Sequence, residues 1–203
     1  IAMVEAVAQR VFIPFCVGGG LLNVEDMRRV LLAGADKVSV NSLAVDNPEI
    51  LSIGSRAFGR QCIVLGLDAR KVGVSKNFPS GYQVVTRGGR QPVSLDAVAW
   101  ARHAVELGAG EICLNAIDTD GVQNGYELAI TRQISEAVPV PVIASGGAGK
   151  VEHLLEAFTE GKADAALVAS MVHSGNYTCA SIKQQLQQIS DIPIRKVGKT
   201  SLH

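Results

Sequence analysis

The chain has 203 residues, 47% of them hydrophobic and 19% charged, which is typical of one globular domain with a sizeable core. Lys and Arg balance Asp and Glu at 19 each, so the charge gives no reason to expect binding to nucleic acid or to an anionic membrane. No apolar run approaches the roughly 20 residues that span a bilayer. Without a signal-peptide pattern, we predict a cytoplasmic protein.

Short apolar runs alternate with amphipathic segments along the chain. Residues 1–10 predict a helix, and the runs predict buried parallel strands over 11–17, 37–41, 62–69, 111–118, 140–146 and 165–170. The alternation predicts an α/β fold.

Capping residues mark the ends of the helices between these runs. Asn23 is predicted to cap a helix that ends before Gly34. Pro48 suits the start of the next helix. Ser94 is predicted to cap a later helix that ends at Gly108.

Residues 71–93 break this rhythm. The segment is too long for a simple turn and predicts a loop with a small hairpin, its best strand being "YQVVT" at 82–86. Loops of this length often shape a site.

The four cysteines lie far apart, suit no zinc site and are expected to be reduced, buried thiols, so no metal is predicted.

Residues 15–42 have a loose echo in residues 143–170. Pro14 and Pro141 lie 127 positions apart, and the offset becomes 128 after the extra residue Lys162. This spacing is too long for a solenoid repeat of roughly 20–50 residues. It suits half of a (β/α)8 barrel of about 250 residues.

The same offset places the partners of strands 62–69 and 111–118 before Ile1. We therefore expect a (β/α)8 TIM barrel with a half-barrel repeat, N-terminally truncated to about six strands. The expected organisation is a single domain over 1–203, with a loop or hairpin insertion at 71–93 and a C-terminal tail at 191–203.

Glycine clusters follow two of the predicted strands. The first is 18–20, and the second contains Gly146, Gly147 and Gly149. Turns of this kind, at a strand's carboxyl end and before a helix, let backbone N–H groups approach an anion. Two matched clusters predict a substrate with a phosphate at each end; the alternative is that the glycines only permit tight turns.

Carboxylates follow the next strands. Asp68 ends an apolar strand, at the barrel face where catalytic residues usually lie, and apolar walls would suit it to proton transfer. Asp120 with Gly121 predicts a turn whose N–H groups could also meet a phosphate, and Asp118 is as readily a structural turn residue.

Several motifs together resemble the cyclase subunit of imidazole glycerol phosphate synthase, of histidine biosynthesis. They are "PFCVGGG", "GADKVSVNS", "GLDA", "GAGEICLNAIDTDG", "IASGGAGKVEHLLEAF" and "DAALVAS". The resemblance runs in order from Val11 to about Ser174.

The resemblance implies a lyase without metal or organic cofactor. Ammonia enters, and a ribulosyl-formimino-imidazole carboxamide ribonucleotide with two phosphates is cyclised and cleaved to imidazole glycerol phosphate and aminoimidazole carboxamide ribotide. A glutaminase, separate or fused, docks on the barrel's amino-terminal face and supplies the ammonia.

The resemblance also assigns residues. It implies Asp68 as a catalytic aspartate, Lys37 and Glu111 as parts of the ammonia gate, and Asp36 and Gln61 near the glutaminase contact. The implied phosphate contacts are Gly20, Asn41 and Ser42 at one end, and Asp120, Gly121, Gly147, Ala169 and Ser170 at the other.

The family's other catalytic aspartate, on its first strand, has no counterpart, so the chain alone is expected to be inactive or nearly so. Two alternatives stay open. One is the related aminoaldose–ketose isomerase of the same pathway, and the other is a non-catalytic fragment that binds phosphates or a glutaminase.

Overall fold

A computed structural model describes residues 1–195. Its strands are β1 (Cys16–Gly18), β2 (Lys37–Val40), β3 (Ile63–Lys71), β4 (Tyr82–Thr86), β5 (Gln91–Asp96), β6 (Glu111–Ala116), β7 (Val142–Ser145) and β8 (Ala165–Ala166). Its α-helices are α1 (Ala2–Ala8), α2 (Val24–Leu32), α3 (Ser42–Asp46), α4 (Glu49–Phe58), α5 (Ala97–Leu107), α6 (Leu128–Ala137), α7 (Val151–Thr159), α8 (Ser170–His173) and α9 (Cys179–Ile189). A 3-10 turn at Arg60–Cys62 precedes β3.

The strands form one sheet whose main path is β1-β2-β3-β6-β7-β8, with every neighbouring pair on this path parallel. The β4–β5 hairpin adds to it through an antiparallel pairing of β4 with β3. Helices alternate with the parallel strands, as the apolar pattern predicted. The result is a curled parallel sheet of the TIM-barrel type, which confirms the predicted fold class.

The internal repeat is present in the strand register. Cys16 pairs with Lys37, and Ile143 pairs with Ala165, which lie 127 and 128 positions further along. The helix inside each copy has nine residues, α2 in one and α7 in the other. Lys162, the extra residue, adopts a left-handed φ of 54°. The two copies therefore share geometry as well as sequence.

The core lies between the outer face of the sheet and the helices. Val38, Ile63, Leu65 and Ile112 are fully buried against this layer. Because side chains alternate along a strand, the residues between them point to the inner face of the curled sheet. Those inner positions are mostly half-buried, and they include Lys37 and Glu111 near the strands' amino ends and Asp68 and Asn115 near their carboxyl ends.

Most predicted helix ends are confirmed. The Asn23 side chain accepts a hydrogen bond from the Asp26 N–H at 2.9 Å, Gly34 follows α2, and Pro48 lies directly before α4. Gly108 ends α5 in a left-handed conformation.

Four predictions were wrong. The strand expected over 165–170 is only Ala165–Ala166, and Ser170 begins α8. Ser94 does not cap α5; it lies in β5, and the helix is capped by Asp96, whose carboxylate accepts from the Val98 and Ala99 N–H groups. The strand expected over 11–17 is only Cys16–Gly18, and Phe12 is 91% exposed. The cysteines are free, but none is fully buried; Cys16 and Cys179 are exposed.

The remaining predictions concern the hairpin, the tail and the membrane. The strand "YQVVT" is confirmed as β4, and its partner β5 carries the hairpin on to Asp96. In the predicted tail, residues 191–195 form neither helix nor strand, and residues 196–203 lie outside the described part of the chain. Among the helices of residues 1–195, none has the length and apolar character needed to cross a membrane.

Candidate functional site

Two cavities open at the carboxyl ends of the parallel strands, one at each end of the sheet path. Parallel strands bring these ends to one rim, so loops that are far apart in sequence meet there. We name the two after their strands, the β1–β2 cavity and the β7–β8 cavity.

The β1–β2 cavity has a volume of about 430 Å³. Its lining includes Gly20, Asn41, Ser42, Asp46, Asp68 and Arg87. The structure thus places the residues predicted to bind the first phosphate beside the predicted catalytic aspartate. The lining also contains Asp46 and Arg87, which the sequence did not single out.

Asp68 lies near the carboxyl end of β3 and is half-buried. The Asn41 side-chain amide donates to its Oδ2 at 2.9 Å, and the Asn115 amide donates to its Oδ1 at 3.4 Å. Burial raises the pKa of Asp68; the two amides oppose this and the charge of Asp120 adds to it, so the pKa stays above its ordinary value. The fold therefore holds one oriented carboxyl group that is easier to protonate than a free aspartate.

The β7–β8 cavity is smaller, at about 40 Å³. All five residues predicted for the second phosphate end line it: Asp120, Gly121, Gly147, Ala169 and Ser170. They come from the segments after β6, β7 and β8, so no single motif contains all five.

The glycines of the two cavities serve different structural needs. A Cβ on Gly147 would lie 2.0 Å from the Gly125 carbonyl oxygen, and the Gly125 N–H donates to the Gly147 carbonyl at 2.9 Å. A Cβ on Gly20 would meet nothing within 4 Å, although its φ of 71° is left-handed. Gly147, whose φ is 112°, is therefore required by its backbone conformation and by close backbone packing, and Gly20 only by its backbone conformation.

The amino-terminal end of the inner face holds the second group of predicted residues. Lys37 on β2 and Glu111 on β6 form an ion pair, with side-chain exposures of 31% and 15%. Asp36 and Gln61 are exposed at positions just before β2 and β3. The Asp36 carboxylate also accepts from the Phe15 N–H at 2.8 Å, so it helps to hold the start of β1.

Two further observations separate structural residues from site residues. The Asp118 carboxylate accepts from the Lys71 N–H at 2.7 Å, which favours its interpretation as a turn residue. A cavity of about 550 Å³ lies behind β8, between α7 and α9, and contains none of the predicted site residues. Cavity volume alone would therefore not have led to the predicted site residues.

Arg87 was missed because nothing in its local sequence marks it. It lies at the tip of the β4–β5 hairpin, where its backbone N–H donates to Ser42 Oγ at 3.0 Å. The available signal was the length of the 71–93 segment, which predicted only that a loop shapes the site.

The fold defines a (β/α)-barrel type of protein. The chain belongs to the histidine biosynthesis protein family, whose model matches residues 1–178. It is 58% identical over 184 residues to the imidazole glycerol phosphate synthase subunit HisF of Solidesulfovibrio magneticus, an alignment that covers 91% of this chain and 71% of that protein.

Proteins of the same name in two other organisms are equally similar. The protein from Desulfosudis oleivorans is 57% identical over 96% of this chain and 75% of its own length. The protein from Syntrophobacter fumaroxidans is 58% identical over 96% of this chain and 74% of its own length.

Proposed function

We propose that the chain is the cyclase subunit of imidazole glycerol phosphate synthase. In this role it uses ammonia to cyclise and cleave a bisphosphorylated ribulosyl-formimino-imidazole carboxamide ribonucleotide. The products are imidazole glycerol phosphate and aminoimidazole carboxamide ribotide. The named relatives support this assignment, because their identity of 57–58% extends over more than nine-tenths of the chain.

One observation carries the proposal: two glycine-turn cavities open on one rim, and Asp68 lies on a strand between them. The sheet path places β3 and β6 between the β1–β2 pair and the β7–β8 pair. A substrate with a phosphate at each end would hold its reacting centre over these middle strands. Gly20, Asn41 and Ser42 would then bind one phosphate, and the five residues of the β7–β8 cavity the other.

Asp68 would act as the proton-transfer group. The pKa of Asp68 is raised toward neutral, and general acid–base catalysis is most efficient when the pKa of the catalytic group lies near the working pH. The amides of Asn41 and Asn115 fix its orientation from both sides. The substrate's imidazole precursor can thus meet a carboxyl group whose direction is already set.

Ammonia would enter at the amino-terminal end of the inner face, beside Lys37 and Glu111. Between this ion pair and Asp68, the inward positions carry small groups at Ser39, Gly66 and Cys113. Small side chains leave room for a molecule the size of ammonia. A glutaminase docked over Asp36 and Gln61 would deliver ammonia directly to this entrance.

The test is an ammonia-dependent cyclisation assay with the bisphosphorylated substrate. It is run with the chain alone and with the chain mixed with the part of the Desulfosudis oleivorans relative that its alignment leaves uncovered. Formation of imidazole glycerol phosphate by the chain alone or by the mixture supports the proposal, provided that it is lost when Asp68 is substituted. Isomerisation of an aminoaldose substrate instead, or phosphate binding without turnover in both mixtures, would overturn it.

A further inference from the structure

The β1–β2 cavity has an unbalanced charge. Asp46 and Asp68 place two carboxylates in its lining, and among the described residues that line it Arg87 is the single cation. A phosphate dianion brought into this cavity would meet both carboxylates. The backbone N–H groups of a glycine turn offer only partial positive charges, so a full cation nearby would strongly favour binding.

Arg87 is positioned to supply that charge. Its guanidinium pairs with the Asp46 carboxylate at 2.9 Å, but the two side chains are 59% and 55% exposed. Exposed ion pairs of this kind contribute little, so the guanidinium can exchange Asp46 for a better partner at small cost. A guanidinium can donate two parallel N–H groups to the oxygens of a phosphate. The contact of Arg87 with Asp46 uses only one such N–H group, so a phosphate is the better partner.

The backbone at the hairpin tip holds this arginine over the cavity. The Arg87 N–H donates to Ser42 Oγ, which leaves the Ser42 hydroxyl hydrogen free to donate to a ligand. Arg70 donates to the Gly89 carbonyl at 2.9 Å, and Arg90 donates to the Arg87 carbonyl at 2.9 Å, so two further arginines brace the turn. Arg87 itself has a left-handed φ of 55°, an uncommon conformation for a residue with a side chain.

We propose that Arg87 is a phosphate-binding residue of the β1–β2 cavity, and that Asp46 is its partner in the ligand-free state. The ligand class is a phosphate monoester. The inference rests on the proposed function for the identity of the whole substrate, but not for the binding of phosphate itself. It also makes the two cavities unequal, because the lining of the β7–β8 cavity includes no cationic side chain among the described residues.

The first experiment measures binding of inorganic phosphate to the whole chain by calorimetric titration. Arg87→Gln should weaken one of two phosphate sites by at least tenfold, and Arg87→Lys should weaken it less because the charge remains. Arg102→Gln, an exposed arginine on α5, is the matched control for net charge and should change nothing. Unchanged phosphate affinity in Arg87→Gln would overturn the inference.

Asp46→Asn tests the resting partner. It should tighten phosphate binding when Arg87 is present, and the gain should shrink in the Arg87→Gln background. An equal gain in both backgrounds would show that Asp46 does not restrain Arg87.

Turnover separates this inference from the proposed function. With the bisphosphorylated substrate, Arg87→Gln should raise KM about tenfold and leave kcat within about threefold. An unchanged KM in a chain that cyclises the substrate overturns the inference alone. Arg87-dependent phosphate binding in a chain that never cyclises it leaves the inference standing and overturns the proposed function.

Discussion

Lys37 and Glu111 form an ion pair across a strand that contains neither of them. Lys37 is on β2 and Glu111 on β6, with β3 between them in the sheet, and 74 positions separate them in sequence. Side chains on alternate strands can meet in this way only on the inner, concave face of a curled sheet. The pair therefore marks the amino-terminal end of the barrel interior.

The charges of this ion pair add a smaller, secondary effect to the desolvation that raises the pKa values of two nearby cysteine thiols. Although Cys16 is exposed as a residue, the protein around its thiol desolvates the thiolate and raises the pKa of Cys16 to about 11, with Glu111 adding to the effect and Lys37 opposing it. Burial and Glu111 likewise raise the pKa of Cys113 to about 11. We predict that Glu111→Gln lowers both pKa values and that Lys37→Met raises that of Cys16.

The measurement is the pH profile of alkylation by iodoacetamide, with each cysteine followed by mass spectrometry. Only the thiolate reacts, so a lowered pKa moves the profile to lower pH. Glu106→Gln, on the exposed surface of α5, is the control and should leave the profile in place. Profiles for Cys16 that move in the same direction in Glu111→Gln and Lys37→Met would contradict the prediction.

Asp68→Asn should remove proton transfer and leave ligand binding intact. In the mixture with the uncovered part of the Desulfosudis oleivorans relative, we expect turnover to fall by about 10²–10⁴-fold, the usual contribution of a positioned acid or base. Phosphate affinity should not fall, because the substitution removes a negative charge from the cavity. Steady-state kinetics and phosphate titration on the same preparation check both outcomes. Turnover within a few-fold of the unsubstituted chain would exclude Asp68 from the chemistry.

Asp68→Asn also has a predicted effect on stability. The pKa of Asp68 is raised in the folded protein, so folding favours its protonated form. The resulting stabilisation is complete below the ordinary pKa of 3.8 and is lost as pH rises through the higher folded pKa. The substituted chain should therefore gain stability relative to the original as pH rises through that window, in urea unfolding measured at several pH values. A constant difference would show that this pKa is not raised.

The two glycine turns should respond differently to alanine. Gly20→Ala places a side chain in open space and should cost about 1–2 kcal/mol, from the left-handed conformation alone. Gly147→Ala adds a clash with the Gly125 carbonyl and should cost about 1–3 kcal/mol more. Urea unfolding of the two variants gives the comparison. Equal losses of stability would show that the Gly147–Gly125 contact relaxes freely.

Asp96 should stabilise the fold in a pH-dependent way. Burial raises its pKa, but hydrogen bonds from Ser80, Ala99 and Val98 outweigh burial and hold the pKa below its ordinary value of 3.8. The fold thus favours the ionised carboxylate, so its contribution is complete above pH 3.8 and is lost as pH falls through the lower folded pKa.

Asp96→Ala should therefore cost about 1–2 kcal/mol at pH 7, as for the loss of a helix cap, and less at pH 3. Unfolding by urea at both pH values measures the change. Asp191→Ala, at an exposed position after α9, is the control and should have little effect at either pH. If Asp96→Ala instead costs more stability at pH 3 than at pH 7, the lowered pKa of Asp96 is contradicted.

Local periodicity was enough to predict most of the fold. Apolar runs located the strands of the main path, although β1 begins only at Cys16 and β8 ends already at Ala166. Nearly continuous apolar sequence is typical of strands in a parallel sheet covered by helices. The repeat predicted the shared geometry of the two ends, and the register confirms it through Cys16–Lys37 and Ile143–Ala165. The prediction that Ser94 caps α5 was wrong because β5 continues to Asp96, so Ser94 is still part of a strand and Asp96 is the residue that precedes the helix.

By itself the sequence pointed to candidate site residues: the two glycine turns and the carboxylate near the end of β3 from their pattern, and the charged residues at the strands' amino ends from the family resemblance. Tertiary structure alone decided which of them meet. Asn41 and Asn115 reach Asp68 from 27 and 47 positions away, and Arg87 reaches Ser42 from 45. Periodicity records only a residue's relation to its chain neighbours, whereas contacts over these separations depend on the curvature of the sheet and on where a hairpin folds back over its rim.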